Sequence, residues 1–356
     1  MGRCVYLSSN GTVSGFTLSN GSGQFGAGVL CDSTNAVLTN CVLSANWASF
    51  GGGACGGTLR DCVLVGNTAN DGWRCGGGGG GAFQSILYDC ILTDNVACRG
   101  GGALECTLCN CTLTDNSSFL QLAGGGASGC SLFNCILIGN LSGLDGAFYN
   151  CTVIANDGGV SGTAFNSILY YNSGGNYTDG TVLNYCCTSP LPTNGIGNIA
   201  GPPLFMDMAT GDFRLRQDSP CLDAGTDLFG SQMTAWRFLE EVGDWSWVVV
   251  DHITDPTDIL GNTRFIDGNG DGVAAWDIGA YEFNSFKPPR FSLAPQRTTE
   301  GWTLNVTGPQ SKWLHLERSG NLRDWEEVWS GFMLEENQQV NTDDTGGPTF
   351  YRMWVP

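Results

Sequence analysis

The stretch NCVLSAN, Asn40–Asn46, returns with small edits as DCVLVGN (61–67), DCILTDN (89–95), NCTLTDN (110–116), NCILIGN (134–140) and NCTVIAN (150–156). A segment repeated for its chemistry would repeat reactive groups. This one repeats an Asx residue, a cysteine, the apolar residues of a short strand and a closing asparagine. Those residues turn and pack a chain, so the repeat is expected to build a shape.

Cys41, Cys62, Cys90, Cys111, Cys135 and Cys151 mark the period. Ser167 stands where a seventh marker is expected and Gly15 where an earlier one is. From Gly15 to Ser167 the steps are 26, 21, 28, 21, 24, 16 and 16 residues. A variable period of this size is the signature of a solenoid whose loops differ in length. Leu43, Leu64, Leu92, Leu113 and Leu137 stand two residues after the cysteine, on the same face of a strand by alternation. Leu59, Leu87, Leu108 and Leu132 stand three before it, with the opposite parity, so the chain must bend in between.

The bend falls on Asn40, Asp61, Asp89, Asn110, Asn134, Asn150 and Asn166, residues that tolerate left-handed backbone. A second corner is expected at Asn20, Asn46, Asn67, Asn95, Asn116, Asn140, Asn156 and Asn172, and a third at the glycine runs. Three short strands and three corners per turn predict an all-β chain built on a right-handed parallel β-helix. About eight turns rising ~4.8 Å each give a rod of about 40 Å. The corner asparagines are expected to form ladders that satisfy backbone groups from turn to turn. Helix is excluded, because each glycine would cost about 1 kcal/mol there.

The totals agree with this reading. The 356 residues include 54 glycines, only 14% are charged and 42% are apolar, which indicates many tight turns and a long buried surface. The net charge is −19, and Lys287 and Lys312 are the only lysines, which argues against a nucleic-acid or anionic-membrane partner. No apolar run approaches the ~20 residues of a transmembrane helix. MGRCVYLSSNGTVSGF lacks the basic and apolar regions of a secretory leader, and Leu7 replaces the Ser/Thr of a myristoylation signal. The chain is expected to start inside a repeat.

Of the 17 cysteines, the six in the ladder are expected to be small buried hydrophobes, because in-register parallel strands point neighbouring Cβ vectors the same way. Cys186 with Cys187, or Cys106 with Cys109, are candidates for local bridges. The C-x-x-C at 106–109 has no second half-site and is not read as zinc.

Beyond GPPLFMD (201–207) the repeat ends. FRLRQDSPCLDAGT (213–226), DILGNTR (258–264) and WDIGAYEF (276–283) resemble the choice-of-anchor Q region of secreted bacterial β-helix repeat proteins, and the GGGA and NCxLxxN turns resemble the same proteins. The resemblance spans roughly residues 1–285 and implies an extracellular or envelope-attached bacterial protein, with no established reaction. The domain expectation is a β-helix over 1–200, its C-terminal cap over 201–285, a linker over 286–290 and a small β-sandwich over 291–356. The last resembles the Ig- or fibronectin-like modules of secreted bacterial proteins.

DGNGDG places Asp267, Asn269 and Asp271 at calcium-loop positions 1, 3 and 5, with the Val273 carbonyl at 7. Ile278 stands where the bidentate glutamate belongs, and Asp277 is the nearest carboxylate. A plain Asx/Gly hairpin turn accounts for the same residues. Trp302, Trp313, Trp325, Trp329 and Trp354 serve either a small core or sugar stacking, and core is the expectation. The two histidines, His252 and His315, lie in different domains, which leaves no nucleophile–histidine pair. His252 sits near Asp251 and Asp255 in what reads as a solvated loop. Asp94 and Asp115 share a column, read as solvated corner residues. Arg60, Arg74 and Arg99 are placed near the glycine edge, with Arg74 and Arg99 candidates for holding an acidic glycan.

Two functions remain. One is a non-catalytic structural or adhesive rod of a bacterial surface, assembling head-to-tail. The other is a carbohydrate-binding or lyase-like β-helix.

Overall fold

The computed structural model describes residues 2–72, 76–119, 124–226 and 257–283, and strand backbone at Thr234–Leu239, Asp244–Val249 and between Arg290 and Trp354. The chain forms two compact units, Met1–Asn284 and Ser285–Pro356. Among the described residues every element is a strand.

The first unit is a parallel β-helix. Four ladders run along it, A to D in the order the chain meets them, of six, nine, nine and five strands. Ladder C shows the logic of the repeat. Its strands run from Thr17–Ser19 to Cys187–Thr188, and Leu43 pairs with Leu64, Leu64 with Leu92 and Leu92 with Leu113. Ladder B stacks Leu38, Leu59, Leu87, Leu108 and Leu132 in the same way, all fully buried. Each buried leucine contributes about 1.5–3 kcal/mol. A Leu stack on each of two facing walls therefore holds the rod together.

The repeat predicts three strands per turn. One side is divided into ladders A and B, and after the fourth, fifth and sixth strands of ladder A the break falls on a left-handed residue, Gln84 (φ 50°), Glu105 (φ 53°) or Gly129 (φ 59°). In later turns Gly146 and Gly162 take the place after that corner, and Leu144–Tyr149 and Val160–Phe165 run straight through. Gln84 and Glu105 are neither Gly nor Asx, so the sequence carries little sign of this break.

The corner from B to C falls on the Asx residues, Asn40 to Asn166, with φ between 47° and 55°. The next corner falls one residue before each ladder asparagine, on Ala45, Gly66, Asp94, Asp115, Gly139, Ala155 and Tyr171. Two expectations shift by one residue as a result. Thr17 pairs with Val42, so Gly15 aligns with the corner Asn40 and Phe16 stands in the cysteine column. By the same register Asn20 (φ 58°) aligns with the left-handed Ala45, and Gly21 takes the asparagine place. The first turn has neither the cysteine nor the inward asparagine that fixes register elsewhere.

The glycine runs close each turn, and sterics require glycine there. A Cβ on Gly80 would lie 2.4 Å from the Gly101 carbonyl oxygen and 2.6 Å from that of Val96. Strands of successive turns approach across bare backbone at this corner.

Residues 201–226 and 257–283, expected as an end cap, form a lobe along the outer face of ladder C. Phe205, Phe213, Leu215, Cys221 and Ile278 cover Ile136, Ile154, Ile168 and Cys187. The free edge of the last turn is paired instead by Ile196 and Ile199, through Tyr185 N–H to Ile196 O at 2.8 Å and Ile199 N–H to Cys186 O at 2.9 Å. The second unit is a small antiparallel β domain with one four-stranded and one three-stranded sheet. Leu316 and Val340 are buried in it.

Candidate functional site

The repeated polar residues face inward. Asn46, Asn67, Asn95, Asn116, Asn140 and Asn156 are all at most 1% exposed. Each side-chain oxygen accepts two hydrogen bonds from the preceding turn; for Asn95 these come from Asn67 N at 2.9 Å and Asn67 Nδ2 at 3.0 Å. Each Nδ2 also donates to a carbonyl inside the rod, as Asn95 does to Leu64 O at 2.8 Å. Asn172 and Asn176 extend the column to the Ser189 carbonyl.

The cysteines form a parallel column one corner earlier. Cys41, Cys62, Cys90, Cys111, Cys135 and Cys151 are at most 1% exposed, and each thiol donates to the carbonyl two residues before it, at 3.1–3.3 Å. That carbonyl precedes the left-handed corner residue. Ser167 does the same at 2.8 Å and Cys186 at 3.3 Å, so the column has two more members. Burial holds the Cys111 thiol well above its ordinary pKa. A second column follows the A-to-B corner, where Ser85, Cys106 and Cys130 donate to Phe83, Leu104 and Ser128 carbonyls. Sequence reasoning missed it because its members are mixed Ser and Cys, although each follows a corner residue as Cys41 follows Asn40.

The proposed local cysteine bridges are not present. Cys106 lies in the rod core while Cys109 packs outside against Phe133 and Tyr149, so the C-x-x-C straddles the wall. Cys186 and Cys187 likewise divide between the rod core and the lobe. All the described cysteines are free thiols.

In the DGNGDG loop, Asp267 accepts from the N–H groups of Gly270, Asp271 and Gly272 at 2.7–3.1 Å. Asn269 accepts from Asp271 N and Asp271 from Val273 N, both at 2.8 Å. Asp277 sits apart from these three, buried in the lobe and accepting from the N–H groups of Asp223 and Phe283. Among the described residues no group of three or more His, Cys, Asp or Glu is disposed to hold a metal ion.

The lobe carries a polar core that the motifs did not disclose. Arg264 is fully buried, and its Nη2 donates to Asn134 Oδ1 and Ala280 O, both at 3.0 Å. Its Nη1 stands 3.7 Å from Glu282 Oε2 and makes no hydrogen bond, and neither does Glu282 Oε1. Asp258 accepts from Leu260, Asn262 and Glu282 N–H groups at 2.7–3.0 Å. Burial pushes the Glu282 carboxyl up to about 9 and that of Asp277 up to about 7. The corner residues Asn134 and Asn166 dock the lobe, the latter exchanging bonds with Thr226 at 2.7 and 3.0 Å.

One open groove of about 560 Å³ lies over the later glycine corners. Its floor is bare backbone at Gly143, Gly158 and Gly159, where a Cβ on Gly158 would meet Gly143 Cα at 2.6 Å. Asp145 and Asp157 line it. Asp145 accepts from Ser161 Oγ at 3.0 Å and Gly129 N at 3.1 Å, and Asp157 from Ser173 Oγ at 2.9 Å. No basic side chain among the described residues lines it, and no motif announces it, because glycine loops here differ in length from turn to turn.

The remaining candidates do not converge on it. Asp94 and Asp115 are exposed corner residues. Arg60 stacks over Tyr88, 4.1 Å from its ring centroid, beside the Asx corner and away from the glycine edge where it was expected. Arg99 does lie at the glycine corner, its carbonyl accepting from Gly79 N–H at 2.9 Å. His315 Nδ1 meets Glu327 Oε2 at 2.5 Å on the small β domain, and Trp325 and Trp329 are half-buried there. His252 with Asp251 and Asp255, Arg74, and the side chains of Trp302, Trp313 and Trp354 lie outside the described residues. No described helix is long and apolar enough to cross a membrane.

The fold and its ladders define a parallel β-helix repeat protein with a small appended β domain. Comparison with known proteins finds no matching family model and no matching curated protein.

Proposed function

We propose that the chain is a non-catalytic structural or adhesive β-helix protein of a bacterial surface, acting outside the cell and associating with further copies end to end. The observation that carries this is the use of the repeated side chains. The ladder asparagines and thiols, the groups that recur along the rod after its first turn, are buried, and the asparagines are bonded from turn to turn. Their chemistry holds the rod together. The resemblance of the 213–283 motifs to choice-of-anchor Q proteins, and of the last domain to Ig-like modules, supports the same location.

Light scattering with negative-stain microscopy tests the assembly. Filaments of uniform width are expected, and prolines introduced at residues 4–7 should abolish them; stable monomers at all concentrations would remove self-assembly from the proposal. Calcium at Asp267, Asn269 and Asp271 is expected to raise the melting temperature in a way that Asp267→Asn cancels. An unchanged melting temperature would exclude it.

The groove supports a second reading, carbohydrate binding. Glycine backbone and two carboxylates offer hydrogen-bond acceptors to a polyhydroxylated chain with no demand for negative charge. Neutral oligosaccharides should then bind the wild type and lose binding in Asp145→Asn with Asp157→Asn. Equal binding by both forms would place any glycan site elsewhere.

A further inference from the structure

Cys187 and Cys221 come from separate parts of the first unit. Cys187 opens the last strand of ladder C, and Cys221 lies in the SPCLD segment of the lobe. Both are fully buried, and both belong to the apolar cluster formed where the lobe covers the rod. Three links fix them across that seam. Ile168 pairs with Cys187 in the neighbouring rung. Gly279 lies so close that a Cβ on it would stand 2.7 Å from Ile168 Cδ1. Ile278, its neighbour, donates from N–H to Cys221 O at 3.0 Å. The neighbouring Cys187 thiol, together with burial, pushes the Cys221 thiol well above its ordinary pKa. The Cys187 thiol also reaches Gly201 O at 3.1 Å.

This arrangement differs from that of the ladder thiols. Neighbouring ladder cysteines sit on in-register parallel strands, so their Cβ vectors run side by side, which suits a disulfide poorly. Cys187 and Cys221 enter one buried cluster from two different elements, the rod and the lobe.

We propose that Cys187 and Cys221 are a disulfide site that staples the lobe to the last rung of the rod. One thiol loses its proton and attacks a small-molecule or protein disulfide oxidant, releasing one thiol of the oxidant and leaving a mixed disulfide. The second cysteine, as thiolate, attacks the protein sulfur of that mixed disulfide and releases the other thiol. The two cysteines lose two protons and two electrons, and the oxidant disulfide is reduced to two thiols. Both sulfurs are shielded once the lobe has docked, so exchange belongs to the undocked lobe and the finished bond is protected from reductant.

Oxidation in the cell depends on the proposed location outside it. The chemistry is therefore tested on purified full-length protein refolded with glutathione disulfide, and the two can fail separately. After unfolding in an alkylating agent and chymotryptic digestion, a single linked peptide pair containing Cys187 and Cys221 is expected. Cys187→Ser and Cys221→Ser should each abolish it. Reductant added under native conditions should leave the bond intact; added under unfolding conditions it should break it. In the oxidised wild type, protease cleavage within 201–226 should slow by tenfold or more relative to reduced protein, and reductant should make no difference to either variant. Full alkylation of both cysteines after oxidative refolding, or linkage of Cys187 to Cys186, would overturn the proposal.

Discussion

Asn67 Oδ1 accepts two hydrogen bonds from Asn46, one from its backbone N at 3.1 Å and one from its Nδ2 at 2.9 Å. One amide oxygen thus satisfies both the corner and the side chain of the turn before, while its own Nδ2 donates to Leu43 O at 2.8 Å and Asn95 Oδ1 at 3.0 Å. Removing an amide from the middle of the column strands donors on one side and acceptors on the other, each at about 1–3 kcal/mol. Asn95→Ala should therefore cost about 3–5 kcal/mol in chemical denaturation. Asn20→Ala, at an exposed left-handed corner outside the column, should cost about 1–2 kcal/mol. Equal costs would mean that the asparagines act only through their backbone preference.

The glycine corner makes a similar contrast between close approach and conformation. Gly80 is enclosed by backbone, with the Gly101 and Val96 oxygens 2.4 and 2.6 Å from a built Cβ. Gly66 is left-handed at φ +63° but has nothing within 4 Å of its Cβ. Gly80→Ala should cost about 3 kcal/mol or more or prevent folding, since rigid strands must separate to admit a methyl group. Gly66→Asn, which keeps a side chain that tolerates left-handed backbone, should cost under about 1 kcal/mol. Thermal melts of the two variants make the comparison.

Much of the rod was legible because its physics repeats. A column residue must meet an equivalent one on each turn, so Cys41 and Asn46 recur in the chain at the helix period. Legibility failed where no such partner constrains the position. Gly15 and Asn20 stand one residue out of the register that the repeat predicts, because the first turn lacks both column residues. Glu105 turns a corner in a left-handed conformation that neither Gly nor Asx announces. The candidate sites were legible only in part. Asp267, Asn269 and Asp271 do share a loop, but Asp277 is drawn away by the Asp223 and Phe283 N–H groups. Arg264 reaches Asn134 across 130 positions of sequence, a pairing that no local pattern carries.

The thiol column invites exchange for hydroxyl, since Ser167 already occupies one rung and donates to Phe165 O at 2.8 Å. Cys111→Ser should retain the bond to Cys109 O, now at 3.3 Å, and cost about 1 kcal/mol or less. Cys111→Ala removes the donor and leaves a small void, at about 1–2 kcal/mol. Iodoacetamide should leave the Cys111 thiol unmodified in the native protein, because it is fully buried and burial raises its pKa. Rapid native alkylation at Cys111 would show that the column opens on its own.

Glu282 and Asp277 tie the lobe to pH. Their native values, about 9 and about 7, lie above the ordinary carboxyl range near 4, and burial is the leading cause for both. The native lobe therefore holds protons that an unfolded chain releases. The resulting stabilisation is complete below about pH 4 and is lost as pH rises through about 7 and on toward 9, at up to about 1.4 kcal/mol per pH unit for each extra proton held. Asp212, whose carboxyl Arg214 holds below the usual range, works in the opposite direction, but only at lower pH as it protonates. Melting of the lobe, followed through Trp276 fluorescence, should fall steadily from pH 5 to pH 9. Glu282→Gln mimics the protonated acid, so it should melt close to the wild type at pH 5 and flatten the upper part of the curve. A variant that loses several kcal/mol at pH 5 would instead show that Glu282 is ionised there and serves as the counterion of Arg264.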